Sequence, residues 1–256
     1  LIVWMLQMNL KNVTLVAVSG LELEAHVKAL EYSSSSIDFG RVLLLAPENP
    51  FPNRSSYDYI NINRFADVGE WGKFICFDLY RYIETDFIML IHSDGFVVNP
   101  DSWDSSFLDY DYIGAPWPIS KVKGYFEDAD GNDVRVGNSV SLRSTKLLKA
   151  PSLLGLKWDA DEQLGYLHED GFICAVNKVL LEKEGFKIAP LDLACRFSRE
   201  EPIPENKGVI PFAFHKWKGE NKGYPRFRKK ESVELKIKRI IKKGIKKISR
   251  LKSNAL

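Results

Sequence analysis

Four short stretches of this 256-residue chain carry residue types that could do chemistry. The first is FIMLIHSDGFVVNP, Phe87 to Pro100, an apolar run that stops at Ser93 and Asp94 and turns at Gly95. An apolar run of this length between turn signals suits a central strand of a parallel sheet, covered on both faces. Asp94 then stands at the carboxyl edge of the sheet, where open α/β sheets bind their ligands. Asp-Gly is also ordinary turn chemistry, so a plain turn is the competing reading. The second stretch, His168 to Gly171 (HEDG), opens the helical pattern FICAVNKVLLEKEG and puts Glu169 and Asp170 at a helix N-terminus, where the dipole favours carboxylates. Capping is one reading of that pair. The other is a general base toward an incoming hydroxyl, which requires a carboxylate ionised near neutral pH. The third, PFAFHKW, sets His215 in an apolar late strand, where a lone imidazole is ordinarily a hydrogen-bonded core residue. If His215 and Asp94 converge, the pair with phosphate oxygens suits Mn²⁺ or Mg²⁺, an ion that neutralises a leaving diphosphate. The fourth, EDADGND (Glu127 to Asp133), has calcium-loop residue types without the spacing: its glycine is fourth from Asp128 rather than sixth, and no glutamate closes the loop. It reads as an exposed turn.

The elements that must position these residues alternate. VTLVAVSG (Val13 to Gly20) reads as a buried strand, LEAHVKALEYSSSS as a helix, RVLLLAP (Arg41 to Pro47) as a second strand and YDYINI as a third, shorter one. WGKFICFDLYRYIE (Trp71 to Glu84) has helical spacing and leads into the strand that ends at Asp94. This order predicts an α/β fold with a single, mostly parallel, Rossmann-like sheet flanked by helices, joined by right-handed crossovers. The second half is less regular, without an internal repeat.

The chain is 45% hydrophobic and 12% aromatic, enough for a sizeable core. Cys76, Cys174 and Cys195 are widely spaced in apolar surroundings, form no CxxC pair, and read as reduced core residues. No apolar stretch reaches the ~20 residues that span a bilayer, and the first ten residues lack the pattern of a signal peptide, so a cytoplasmic location is expected. The net charge of +2 conceals an asymmetry: residues 226–252 hold 13 Lys and Arg against two acids, so the body is acidic and the tail basic. Ile237, Ile240, Ile241, Ile245, Ile248 and Leu251 share one helical face, which predicts a C-terminal basic amphipathic helix. An anionic membrane surface, peripheral and at the inner face, is the expected partner of that helix; packing on the body is the alternative. Nucleic acid is not expected, because no aromatic residues interleave the basic face. The chain is accordingly read as one domain, 8–225 from Met8, and a tail, 226–256.

HSDGFVVNPDSWDSSFLDYDYIGAPW, VGNSVSLRS, HEDGFIC and PFAFH together resemble a family of bacterial and viral GT-A-type glycosyltransferases catalogued mainly as a domain of unknown function. The similarity spans roughly Val13 to Lys218. It implies a GT-A-like fold, a nucleotide-sugar donor (a UDP-sugar) bound at the end of the first strand, and a divalent metal. By the resemblance Asp94 matches the last aspartate of a D-x-D motif, with Ser93 before it and His92 in the place of the first aspartate. His215 is similar to the late histidine that completes the metal site, and Asp170, paired with Glu169, to the catalytic base of inverting enzymes. The family's loop usually reads Val-Gly-Asn-Gly-Gly-Phe-Ser-Leu-Arg-Ser, whereas Val136 to Ser144 is one residue shorter and has lost two glycines, which removes backbone freedom where sugar and acceptor approach.

The expected reaction is a single displacement in surface glycan synthesis. An acceptor hydroxyl on a glycan or lipid-linked acceptor, deprotonated by Asp170, attacks the anomeric carbon with inversion, while a metal on Asp94 and His215 stabilises the diphosphate. Ser19, Gly20 and Lys73 are expected toward the nucleotide and its phosphates. Asn138, Ser139 and Arg143 are expected at the sugar, with the ring of Trp117 stacked on it; a core tryptophan in a turn is the other reading of Trp117. A catalytically impaired sugar-nucleotide or glycan-binding module is the alternative, supported by the altered loop. A sugar nucleotidyltransferase is disfavoured, because no glycine-rich basic loop follows VTLVAVSG.

Overall fold

The computed structural model describes residues 8–121, 126–158 and 168–228. The amphipathic pattern of residues 237–251 lies outside them. The chain runs β1 (Met8–Val18), α1 (Leu23–Ser34), β2 (Ile37–Ala46), β3 (Asp58–Asn61), α2 (Val68–Phe77), β4 (Phe87–Ile91), β5 (Tyr112–Pro116), β6 (Val136–Ser144) and α3 (Thr145–Leu153). It continues with α4 (Glu169–Gly171), a π-helical turn (Phe172–Val176), α5 (Lys178–Lys183), α6 (Leu191–Phe197), β7 (Ser198–Arg199) and β8 (Ala213–Phe214).

Six strands form one mixed sheet in the order β3-β2-β1-β4-β6-β5, and a two-stranded parallel ladder, β7-β8, stands beside it. The expected α/β class, mostly parallel and flanked by helices, is what the chain adopts. The pairs β1-β2, β1-β4 and β2-β3 are parallel, whereas β6 is antiparallel to both β4 and β5. β4 therefore has a parallel neighbour on one side only, a correction to the reading of it as a central strand of a parallel sheet. The reversal matters for the site. Leu90 pairs with Ser141, so Asn138 and Ser139, in the first half of β6, lie toward the carboxyl end of β4.

The strands read as apolar on both faces because both are covered. Val13, Leu15 and Ala17 of β1 pack with Val27 and Leu30 of α1 and Phe197 of α6. Val16 and Val18, pointing the opposite way, pack with Ile75 of α2 and Leu148 of α3. Local caps fix the helix starts: Asp67 Oδ1 accepts from Glu70 N at 3.0 Å for α2, and Ser144 Oγ accepts from Leu147 N at 3.0 Å for α3. All three cysteines are free and buried, as expected. The EDADGND stretch is a turn, but Asp128 is buried within it, accepting from the amides of Asp130 and Asn132 and pairing with Lys178 at 3.3 Å. The folded body also runs past the expected boundary at 225, since Phe227 stacks on Phe96 at 5.2 Å. Among the described residues no helix is long and apolar enough to cross a membrane.

Gly95 lets β8 close onto β4. A Cβ there would lie 2.5 Å from Val140 Cγ2, 2.8 Å from His215 Cδ2 and 2.9 Å from Phe214 O. Gly95→Ala is expected to destabilise the fold by about 1–3 kcal/mol through overpacking. Gly223→Ala, with nothing within 4 Å of its added Cβ, should cost little; urea denaturation of both variants checks the contrast.

Candidate functional site

The end of β4 is tied down before its side chains are placed. His92 and Gly95 bond each other through their backbones at 2.7 and 3.2 Å, and Lys216 N donates to Asp94 O at 2.7 Å. β7 and β8 are parallel with Arg199 opposite Phe214, so the residues that follow them, Glu200 and His215, emerge side by side. Asp94 Oδ1 faces His215 Nε2 at 3.6 Å, and His215 Nδ1 faces Glu200 Oε2 at 3.3 Å. Glu200 also receives hydrogen bonds from Lys216 Nζ and from Asn138 Nδ2, which comes from β6. Burial alone would lower the pKa of His215, but its bonds to Asp94 and Glu200 outweigh burial and hold it up at about 9. Burial likewise pushes Glu200 up, and His215 and Lys216 reverse the sign, bringing it to about 2. Asp94 is held below the usual carboxylate range against its own burial by His215 and Arg228. At neutral pH the site thus holds an imidazolium between two carboxylates.

Next to Asn138 the same strand reaches the second carboxylate pair. Ser139 Oγ donates to Glu169 Oε1, and Arg143 Nη2 donates to the same oxygen at 2.9 Å. Glu169 and Arg143 are both about 1% exposed, and Arg143 Nε also donates to Ser141 Oγ at 2.8 Å. Glu169 is thereby locked. Asp170 is only partly covered and accepts the Gly171 amide at 2.8 Å. Burial first and the charge of Glu169 second push its carboxyl up to about 7. Gly72 of α2 admits this segment: a Cβ there would come within 3.0 Å of Trp158 and 3.3 Å of Glu169 N.

Of the residues singled out in the sequence, Ser93, Asp94, Asn138, Ser139, Arg143, Glu169, Asp170 and His215 belong to this cleft. Asn138 and Arg143 are buried, with their side chains paired to Glu200 and Glu169. Ser19 closes its own turn, donating to Leu21 O at 2.6 Å, while Gly20 lines a cavity of about 520 Å³ at the carboxyl ends of β1 and β2. Lys73 is exposed on α2 and takes no part in the hydrogen bonds of the cleft among the described residues. The expectation that Trp117 offers a free ring is corrected: it is 5% exposed, stacked on Phe126 at 4.1 Å, and a Cβ on Gly137 would strike its ring at 2.1 Å.

Glu200, Glu22 and Arg228 are residues the motifs did not flag, and His92 enters them only as standing in the place of the first aspartate. Glu200 sits in SREE with no motif around it, and Arg228 counts in the sequence only as one of many tail charges. His92 lies between the rings of Trp71 and His215, each 5.5 Å away, and desolvation and the His215 charge lower its pKa well below normal. Its Nε2 and the Glu169 Oε2 are buried without a hydrogen-bond partner among the described residues.

Asp94 and His215 do meet, as expected, but as an ion pair. Arg228 Nη1 lies 3.1 Å from Asp94 Oδ2, so both carboxylate oxygens face a cationic group. Among the described residues no group of three His, Cys, Asp or Glu side chains could hold a metal, and both oxygens of Asp94 already face Arg228 and His215. As arranged, the residues do not fit a bound Mn²⁺ or Mg²⁺.

The fold and cleft define an α/β protein with a polar site at the carboxyl edge of its sheet. The chain belongs to the family described as "Protein of unknown function (DUF5672)", which matches residues 54–215, from just before β3 to His215 itself. No curated protein matches the sequence. Among solved structures, the chain is similar to a glycosyltransferase involved in the glycosylation of the major capsid of PBCV-1, at 12% identity and TM-score 0.44, over 82% of this chain and 95% of that one. It is similar to the apo-form glycosyltransferase GlyE of Streptococcus pneumoniae TIGR4, at 13% identity and TM-score 0.42, over 79% of this chain and 53% of that one. It is also similar to the bifunctional IspDF of Campylobacter jejuni, at 13% identity and TM-score 0.42, over 69% of this chain and 48% of that one. The chain spans about half the length of the last two.

The buried Arg143–Glu169 pair yields a direct test. Arg143→Met strands the Glu169 carboxylate and is expected to cost about 3–5 kcal/mol in urea denaturation, whereas Arg143→Met with Glu169→Leu should recover most of that loss. A cost for the single variant below about 1 kcal/mol would mean that the pair does not anchor the segment.

Proposed function

We propose that the chain transfers a glycosyl group from a nucleotide-sugar, a UDP-sugar in the first instance, to an acceptor hydroxyl with inversion. The observation that carries this reading is the pairing of two carboxylates in opposite roles at the edge of the cleft. Glu169 is locked by Arg143 and Ser139, and Asp170 beside it is left with a carboxyl raised to about 7. A group with that pKa takes a proton from a hydroxyl and releases it again at neutral pH. In the reaction the acceptor oxygen bonds to the anomeric carbon as its proton passes to Asp170. The carbon–oxygen bond to the diphosphate breaks, and its electron pair leaves with the diphosphate. The imidazolium of His215, held between Asp94 and Glu200, offers positive charge to the departing diphosphate. Glu169, Arg143 and Asn138 touch no substrate in this scheme; they fix the segments that carry Asp170 and His215. A glycan or lipid-linked acceptor, surface glycan synthesis, and attachment of the basic tail to an anionic membrane belong to the same proposal, supported by the charge pattern beyond residue 228.

The test is release of nucleoside diphosphate from a panel of nucleotide-sugars by the purified chain, followed from pH 5 to 9. One donor should be hydrolysed, with kcat/KM rising about tenfold per pH unit below about 7 and levelling above it, because the base must be ionised. Asp170→Asn should lower turnover by about 10²-fold or more without loss of donor binding. Donor binding without turnover in the unaltered chain would favour a sugar-nucleotide-binding module, and neither binding nor turnover with any donor would contradict the proposal.

A further inference from the structure

Asp94 is held by a residue from far along the chain and outside the span matched by the family, which ends at His215. The guanidinium of Arg228 sits on three acceptors: Nη1 is 3.1 Å from Asp94 Oδ2, and Nε is 2.9 Å from Ser93 Oγ and 2.5 Å from Glu22 Oε2. Ser93 Oγ in turn donates to Glu22 Oε2 at 2.9 Å, so the seat is a closed ring of bonds between the end of β4 and the start of α1. Both sides of the seat are built for it. Glu22 stands in the left-handed region at φ 52°, unusual for a residue with a side chain, and its carbonyl is fixed by the amides of Ala25 and His26 at 2.9 and 3.1 Å. On the other side, Phe227 stacks on Phe96, Trp217 Nε1 donates to Pro225 O at 3.0 Å, and Asn99 Nδ2 donates to Tyr224 Oη at 3.2 Å. Arg228 is therefore delivered by a docked segment.

Two of the three guanidinium nitrogens, Nε and Nη1, are engaged by the seat. Among the described residues Nη2 makes no hydrogen bond, the side chain is 39% exposed, and Arg228 lines the 520 Å³ cavity together with Gly20, a second arginine, Arg64, and the acids Glu22, Glu24 and Glu48, of which Glu48 lies 3.8 Å from Arg64. Arg64 is itself oriented by a 2.5 Å bond from Nη1 to Gly20 O. A planar guanidinium held through Nε and Nη1 still has the donors at its Nη end turned away from the seat, and donors at that end can bind phosphate oxygens as a fork.

We propose that Arg228 is a built-in cation for a diphosphate: it fills the seat on Asp94 that a divalent ion would take and binds the diphosphate of the donor from the cavity. When the bond to the anomeric carbon breaks, the charge that develops on the diphosphate oxygen meets a guanidinium already in place. Glu22 and Asp94 are positioning residues, holding the fork outward. The identity of the leaving group rests on the transferase reading above; the diphosphate site itself does not.

The experiment separates the two. Inorganic pyrophosphate is titrated calorimetrically into the full chain with chelator present, and then with Mn²⁺, for the unaltered protein, Arg228→Gln and Arg228→Lys, with near-ultraviolet circular dichroism as the check of fold. The unaltered chain should bind pyrophosphate in chelator, Arg228→Gln at least tenfold more weakly, and Arg228→Lys in between, because charge is kept and the fork is lost. Mn²⁺ should not restore the Gln variant. Equal affinity in Arg228→Gln, binding by the unaltered chain only once Mn²⁺ is added, or tighter Mn²⁺-dependent binding in Arg228→Gln would overturn the proposal, the last by making Arg228 a plug that metal displaces. If pyrophosphate binds through Arg228 but no nucleotide-sugar is turned over, the transferase reading fails and the diphosphate site stands. If a donor is turned over and Arg228→Gln binds pyrophosphate like the unaltered chain, the reverse holds.

Discussion

The carboxylate of Glu200 touches both halves of the cleft, and the rest of the site hangs on that contact. It accepts from Asn138 on β6 and from Lys216 after β8, and it faces His215 Nδ1 at 3.3 Å. On one side, His215 then points its other nitrogen at Asp94. On the other, fixing Asn138 fixes Ser139, whose hydroxyl meets Glu169. A buried carboxylate is costly unless its oxygens are satisfied, so Glu200 is stable only while β6, β7 and β8 hold their present positions. The same requirement makes the cleft one unit.

Strain collects at this junction. Among the described residues four non-glycine positions have positive φ, and three of them, Glu22, Asn138 and Lys216, donate to or accept from the polar chain. Asn138 carries this most readily, because asparagine tolerates the left-handed region. The loop is fixed by side-chain bonds to Glu200 and Glu169.

Much of the sheet was legible because apolar runs between turn residues leave few alternatives, and the strand ending at Asp94 and the helix start at Glu169 were read from pattern alone. The site was legible only in part. Asp94, Glu169, Asp170 and His215 stand at element ends, where sequence gives a signal. Glu200 became visible only through the parallel register of β7 and β8, and Arg228 only because Phe227 docks on Phe96, both long-range facts. Trp117 shows the opposite failure: a tryptophan beside prolines and a glycine looks available, but the close approach of Gly137 buries its face. The expected metal pair is likewise a matter of what lies around two residues, since Arg228 and Glu200 turn them into an ion pair.

The most direct test of this account is the titration of His215 by NMR, following its imidazole Cε1–H in the unaltered chain and in Glu200→Gln. A cleft joined through Glu200 predicts an imidazole that titrates near 9 in the unaltered chain and falls toward the ordinary value of 6.5 in the variant. An imidazole that titrates near 6.5 from the outset, or one that stays near 9 without the Glu200 charge, would contradict it.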